Sequence, residues 1–171
     1  QPTKVTPPIG KIIEVVGDSD ESGIENEIAL RKFKIPHHFP DEISQMTEAD
    51  MSKFCVTKTD NKRIDLTEID FFTVDGSEAK DFDDAIYVED HKKGGWRALV
   101  AIADVSSYVN PGDPIDQEAF LRGTSVYFPR SVIPMLPEFL SNKLCSLLPD
   151  TDRKVLVCDM VVSADGDILA Y

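Results

Sequence analysis

The run Trp96 to Ala103 (WRALVAIA) constrains this chain more than any other stretch, because only Arg97 interrupts its apolar character. It is apolar enough to be buried on both faces, which predicts an interior strand. A Lys92 to Gly95 turn precedes it, and before that Ala85 to Glu89 (AIYVE) and Phe71 to Val74 read as further strands. Downstream, Leu156 to Val162 and Ile168 to Tyr171 flank Asp165-Gly166, a strong hairpin signal. Helices intervene. Asp113-Pro114 supplies an N-cap followed by proline at the first helical position, so a helix is expected from Pro114 to about Arg122. Pro137 opens another, through about Leu144. The second half is therefore mixed α+β and strand-rich, and its last strand runs to the end of the sequence without a closing element.

The first half has a different character. Pro2, Pro7 and Pro8 suggest an extended linker, and Gly10 to Gly17 (GKIIEVVG) is a short apolar run that predicts a strand. Asp18 to Gly23 is a polar turn. Ile24, Ile28 and Leu30 to Phe33 fit a helical face, which Pro36 stops. Pro40-Asp41-Glu42 begins a second expected helix through about Lys53, with acids suited to the positive end of the helix dipole. The charged, turn-like stretch Thr57 to Arg63 is a candidate domain boundary. No internal repeat or low-complexity tract is visible.

The most chemically informative stretch is Val74 to Asp84 (VDGSEAKDFDD). Asp75, Asp81, Asp83 and Asp84 fall within ten positions between two expected strands. Asp81 and Asp83, two apart on extended backbone, point the same way, while Asp84 projects otherwise; a turn can bring Asp75 back to them. Crowded carboxylates raise one another's pKa, and divalent cations remove that penalty. Mg²⁺ is a hard ion that takes oxygen ligands and shares its shell with substrate phosphate. Two such ions about 3.5–4 Å apart serve in-line displacement at a phosphodiester. Solvated acidic surface is the competing reading. Phe71, Phe72, Val74, Phe82, Ala85 and Ile86 flank the acids and favour a loop anchored on a core. An EF-hand loop does not fit, because the glycine follows Asp75 immediately.

Charge sets a limit on this reading. Eighteen Lys and Arg against 31 Asp and Glu give a net charge of −13, which repels a phosphate backbone and counts against autonomous RNA binding. It does not count against a metal-dependent site, which must concentrate acids. No apolar run approaches the roughly 20 residues that span a bilayer, so no membrane association is expected. Cys55, Cys145 and Cys158 are odd in number and far apart, which argues against a disulfide framework and fits a reducing cytoplasm. The first residue is Gln1, suggesting an excised piece of a longer protein.

Other residues carry weaker signals. Arg122 to Tyr127 (RGTSVY) offers a cation, hydroxyls and an aromatic ring that a nucleotide could use; a helix end turning into a strand explains the same residues. His37-His38 lacks a nearby third ligand. Asp104, after the apolar strand, is either a fifth acid or a strand-end turn residue. Ser106-Ser107 has no histidine near enough in sequence to suggest a nucleophile.

Taken together, RIDL (Arg63 to Leu66), VDGSEAKDFDDAIY (Val74 to Tyr87), GGWRALVAIADVSSYV (Gly94 to Val109), RGTSVYFPRSVIPMLPEFLSN (Arg122 to Asn142) and LCSLLPDTDR (Leu144 to Arg153) resemble the RNase II/RNase R (RNB) family of exoribonucleases, on its bacterial RNase R side. The resemblance implies a partial RNB catalytic domain over residues 71–171. It also implies a helical linker over 36–70 and the C-terminal end of an OB-type cold-shock-like domain over 1–35. It further implies processive hydrolysis of single-stranded RNA from the 3′ end to nucleoside 5′-monophosphates with Mg²⁺, one or two ions. By position, Asp75 and Asp84 match the family's magnesium ligands, Asp83 its most critical catalytic aspartate, and Asp81 a member of the same cluster. Tyr127 matches the tyrosine that stacks near the 3′-terminal nucleotide. The family's catalytic arginine, further aromatic clamps and C-terminal RNA-binding domain have no counterpart in this sequence. These 171 residues alone are therefore expected to be inactive or nearly so.

Overall fold

The computed structural model of the chain describes residues 9–46, 50 and 63–171. Its centre is an antiparallel sheet of β1 (Asp84–Asp90), β2 (Trp96–Ala103), β5 (Val155–Val162) and β6 (Ile168–Ala170), in the spatial order β1-β2-β5-β6. A separate hairpin is formed by β3 (Val126–Phe128) and β4 (Ser131–Ile133). The helices are α1 (Ile24–Lys32), α2 (Asp41–Ser44) and α3 (Pro114–Arg122). The mixed, strand-rich α+β class expected from the sequence is what forms.

The turn between β1 and β2 depends on one residue. Gly95 has φ of 78°, and a Cβ there would run into the Val162 carbonyl oxygen of β5. Only glycine allows both the left-handed backbone and that approach. The register then places Asp84 opposite Ile102 and Ala101 opposite both Ala85 and Val157. At the other end of β2, Ala103 joins a core of Ile43, Ile115, Leu140 and Cys145, to which α2, α3 and the 138–145 segment all contribute. α3 is fixed at both ends. Asp113 accepts the Asp116 N–H at 2.8 Å, a cap of the kind worth about 1 kcal/mol, and Gly123 at φ 73° terminates it.

Several expectations need correction. β2 is buried on one face, not two: Leu99, Ala101 and Ala103 are covered, whereas Trp96 and Ile102 are exposed. Its partner strand leaves Leu156, opposite Ile102, exposed too, while Ala98 and Val100 on that side are only partly buried. Phe71 to Val74 does not form a strand. It makes a single bridge, Phe72 to Ile86, because the chain must already turn toward the aspartate loop. Gly10 to Gly17 is likewise irregular, with Ile12, Ile13 and Val15 strongly exposed. An apolar run becomes a strand only where another edge accepts its hydrogen bonds, and none among the described residues does. The helix expected from Pro137 to Leu144 forms, but Leu140–Leu144 is a π-turn. α2 ends at Ser44 with Gln45 as its C-cap, so the helix expected from Pro40 through about Lys53 does not run on through Gln45 and Met46. Most of the Thr57 to Arg63 boundary and Cys55 lie outside the described residues, as does the Pro2 to Pro8 segment. Cys145 and Cys158 are in no disulfide. No described helix is long and apolar enough to cross a membrane.

Candidate active site

The aspartate loop lies where β1 starts and β2 ends. Its backbone is held at several points. The Phe82 N–H donates to Ser146 Oγ at 3.1 Å, and Ser146 Oγ donates to the Lys80 carbonyl at 2.8 Å. The Leu147 N–H donates to the Phe82 carbonyl, and the Ala103 N–H to the Asp83 carbonyl, both at 2.9 Å. The 80–83 part of the loop is thus tied to the end of β2 and to the segment leaving the core by hydrogen bonds; of the flanking apolar residues Ala85 is buried, whereas Phe72 and Val74 are exposed.

Along this backbone Asp75, Asp83 and Asp84 are exposed and Asp81 is half-buried. Asp83 keeps solvent access, yet enough protein surrounds it to push its carboxyl above the usual 3.8. Repulsion from Asp81, then Asp84, then Asp75 adds to that rise. The fold therefore brings Asp75, Asp81 and Asp84 within electrostatic reach of Asp83. Among the described residues, no three His, Cys, Asp or Glu side chains are gathered into a metal-holding group, so the carboxylates are neighbours rather than a closed cage. The donor set still suits Mg²⁺. It is made of hard oxygens, and the mutual repulsion centred on Asp83 is what a divalent cation relieves.

Tyr127 sits in β3 opposite Val132, with 70% of its surface exposed. Its neighbours in sequence do not join it as nucleotide contacts. The Arg122 side chain is only 2% exposed and is used inside the fold: it bonds Glu118 at 2.9 Å, donates to the Pro134 and His38 carbonyls, each at 3.0 Å, and stacks 3.7 Å from the Phe39 ring centroid. Ser125 Oγ accepts the Met135 N–H. The helix-to-strand explanation of Arg122 to Tyr127 is the one that forms; Thr124 and Tyr127 remain exposed, and Tyr127 is the aromatic ring among them.

Asp104 is not a fifth acid of the site. It is 4% exposed and forms a closed network with Arg63 at 2.5 Å, Ser106 at 2.5 Å and Ser107 at 2.7 Å. Burial alone would raise its carboxyl, but these hydrogen bonds bring it down to about 2. Sequence reasoning passed over Ser146. A lone serine in an apolar stretch gives no local signal, and only its 0% exposure and long-range bonds mark it.

Residues 63–171 match the RNB domain family model, and residues 1–40 match a cold shock domain model. The chain belongs to the RNB family. Ribonuclease R of Escherichia coli is 49% identical over 171 residues, covering 100% of this chain and 21% of the relative. Ribonuclease R of Vibrio cholerae is 48% identical over 163 residues, covering 95% of this chain and 20% of the relative. The chain thus spans about a fifth of these curated relatives. Among solved structures, Mycoplasma genitalium RNase R in complex with ribose-methylated single-stranded RNA superposes with a TM-score of 0.80 at 38% identity. That match covers 91% of this chain and 24% of the other. The same enzyme with double-stranded RNA gives 0.77 at 37%, covering 91% and 27%. The fold described above is therefore that of an RNB domain.

Proposed function

We propose that this RNB chain carries the carboxylate part of a processive 3′-to-5′ exoribonuclease. The enzyme hydrolyses single-stranded RNA to nucleoside 5′-monophosphates with Mg²⁺, in the reducing cytoplasm. The observation that carries the reading is the anchored loop in which Asp83 is pushed up by burial and by three neighbouring carboxylates. Its relatives are ribonucleases, and one of them was solved with single-stranded RNA.

In the proposed reaction Asp75 and Asp84 hold the ion. When bound, Mg²⁺ supplies positive charge to the scissile phosphate. Asp83 would accept a proton from the attacking water, and Asp81, in the same cluster, would serve a second ion. Water adds to phosphorus, the bond to the preceding O3′ breaks, and the departing O3′ takes up a proton from solvent, while Asp83 later releases the one it accepted. The terminal nucleotide leaves as a 5′-monophosphate and the shortened RNA keeps a 3′-hydroxyl. Tyr127, exposed on β3, offers a ring for stacking on the terminal base, a contact that tolerates any sequence.

Asp83→Asn in the full-length protein tests the reading. RNA binding should persist while cleavage of a 3′-extended oligoribonucleotide falls by orders of magnitude; parental cleavage would sink the proposal. The 171 residues alone should digest a 3′-labelled oligoribonucleotide poorly, because a net charge of −13 repels the backbone.

A further inference from the structure

Ser146 lies under the aspartate loop with no exposed surface. Its hydroxyl accepts the Phe82 N–H and donates to the Lys80 carbonyl, the two backbone groups that bracket Asp81. Leu147, the next residue, donates its N–H to the Phe82 carbonyl. The same short segment therefore grips the loop three times. It is delivered there by the π-turn, whose Cys145 N–H bonds the Leu140 carbonyl at 2.9 Å, a wider closure than an α-helical turn allows. Behind it, Arg153 Nε donates to the Ser146 carbonyl at 2.9 Å and Nη2 to the Lys143 carbonyl at 2.8 Å.

We propose that Ser146 is a positioning residue for the carboxylate site: by bridging Lys80 and Phe82 it fixes the directions in which Asp81, Asp83 and Asp84 leave the backbone, and so sets the site's affinity for divalent cation. The proposal rests on the metal-dependent reading above. A loop carrying four like charges spreads unless something holds it. A neutral hydroxyl can donate and accept at once, so it satisfies a carbonyl and an N–H without adding a charge that competes with the metal. Alanine takes away the partner of both groups, at a part-buried position. Threonine adds a methyl group where no surface is free.

The test is a Mg²⁺ titration of the full-length protein. Groups that orient metal ligands typically change metal affinity about 10–100-fold when removed. Ser146 acts through backbone, so Ser146→Ala should raise the Mg²⁺ concentration for half-maximal cleavage about ten-fold. Saturating Mg²⁺ should restore the rate, and oligoribonucleotide binding in EDTA should be unchanged. Mn²⁺ binding without RNA, followed by the electron paramagnetic resonance of free Mn²⁺, should weaken by a similar factor. A Ser146 that only supports the fold would lower the thermal midpoint or the rate at every Mg²⁺ concentration with both metal midpoints unmoved, and that result overturns the proposal. If Ser146→Ala does not fold, Arg153→Lys replaces it. Losing the two-pronged grip on carbonyls 143 and 146 should move the midpoint the same way, and an unmoved midpoint overturns the proposal equally. Asp83→Asn in the same assay separates the two failures. Parental cleavage by that variant defeats the metal-dependent reading itself, whereas an inactive Asp83→Asn beside unshifted Ser146 and Arg153 variants defeats the positioning role alone.

Discussion

The Arg63 guanidinium donates to the buried Asp104 carboxylate at 2.5 Å, joining the segment ahead of the aspartate loop to the residue that follows β2. The same guanidinium reaches Ser107 Oγ at 2.9 Å, so one side chain closes the turn that leaves the sheet. Its own side chain is 37% exposed against 4% for Asp104, so solvent screens part of the attraction while the acid depends on it.

Removing Arg63 should therefore cost more than a surface ion pair. Arg63→Ala leaves Asp104 charged, buried and bonded to Ser106 and Ser107, and a loss of about 2 kcal/mol is expected in denaturant unfolding. The pH dependence has a definite sign. Asp104 is held near 2, below the ordinary 3.8, so its stabilisation is present above 3.8 and fades as pH falls toward 2. Unfolding midpoints of the parent and Asp104→Asn should accordingly converge across that window. Parallel curves would exclude the network as a source of stability.

Asp83 works in the opposite sense. Its carboxyl is raised, so the folded chain favours the protonated form. That contribution is present below 3.8 and is lost as pH rises through the raised value. Without divalent cation, Asp83→Asn should raise the thermal midpoint at pH 7 by about 1–2 °C, if relief at this exposed position is worth about 0.5 kcal/mol. The gain should vanish at acidic pH. Scanning calorimetry in EDTA at several pH values checks both halves.

Arg122 is a structural arginine, and lysine should not replace it. The planar fork reaches Glu118 and two carbonyls while stacking on Phe39, and lysine offers neither the fork nor the stacking face. Both Arg122→Ala and Arg122→Lys should destabilise by about 3 kcal/mol, measured by urea unfolding. A full rescue by lysine would contradict this geometry.

Tyr127→Ala should leave stability almost unchanged, because the ring is largely exposed. In the full-length protein it should lengthen the limit product of RNA digestion while cleavage continues, since base stacking on an aromatic ring is worth about 1–3 kcal/mol. Gel analysis of end products decides it, and an unchanged product length counts against the stacking role.

Much of this architecture was legible without coordinates because its signals are local. The turn at Lys92 to Gly95, the Asp113-Pro114 start of α3 and the Asp165-Gly166 hairpin each need only a few neighbouring residues to act. The short hairpin β3–β4 was only half visible. Strands of three residues are too brief to show alternation, and Pro129-Arg130 alone does not announce the return strand. Phe71 to Val74 and Gly10 to Gly17 misled for a related reason: apolar runs predict strands, but pairing edges decide them.

The sequence by itself determined that four aspartates fall within ten positions leading into a strand, with apolar residues on both sides of them. Only the tertiary structure decided how the loop is held and which other polar groups stay out of the site. Asp104 and Arg122 resemble site residues in sequence yet are spent inside the fold, while Ser146 looks ordinary and carries the loop's backbone. The physical reason is range. Carboxylate spacing is written within ten positions, whereas the Phe82–Ser146 and Arg63–Asp104 bonds span 64 and 41 positions and exist only once the sheet and core have brought their ends together.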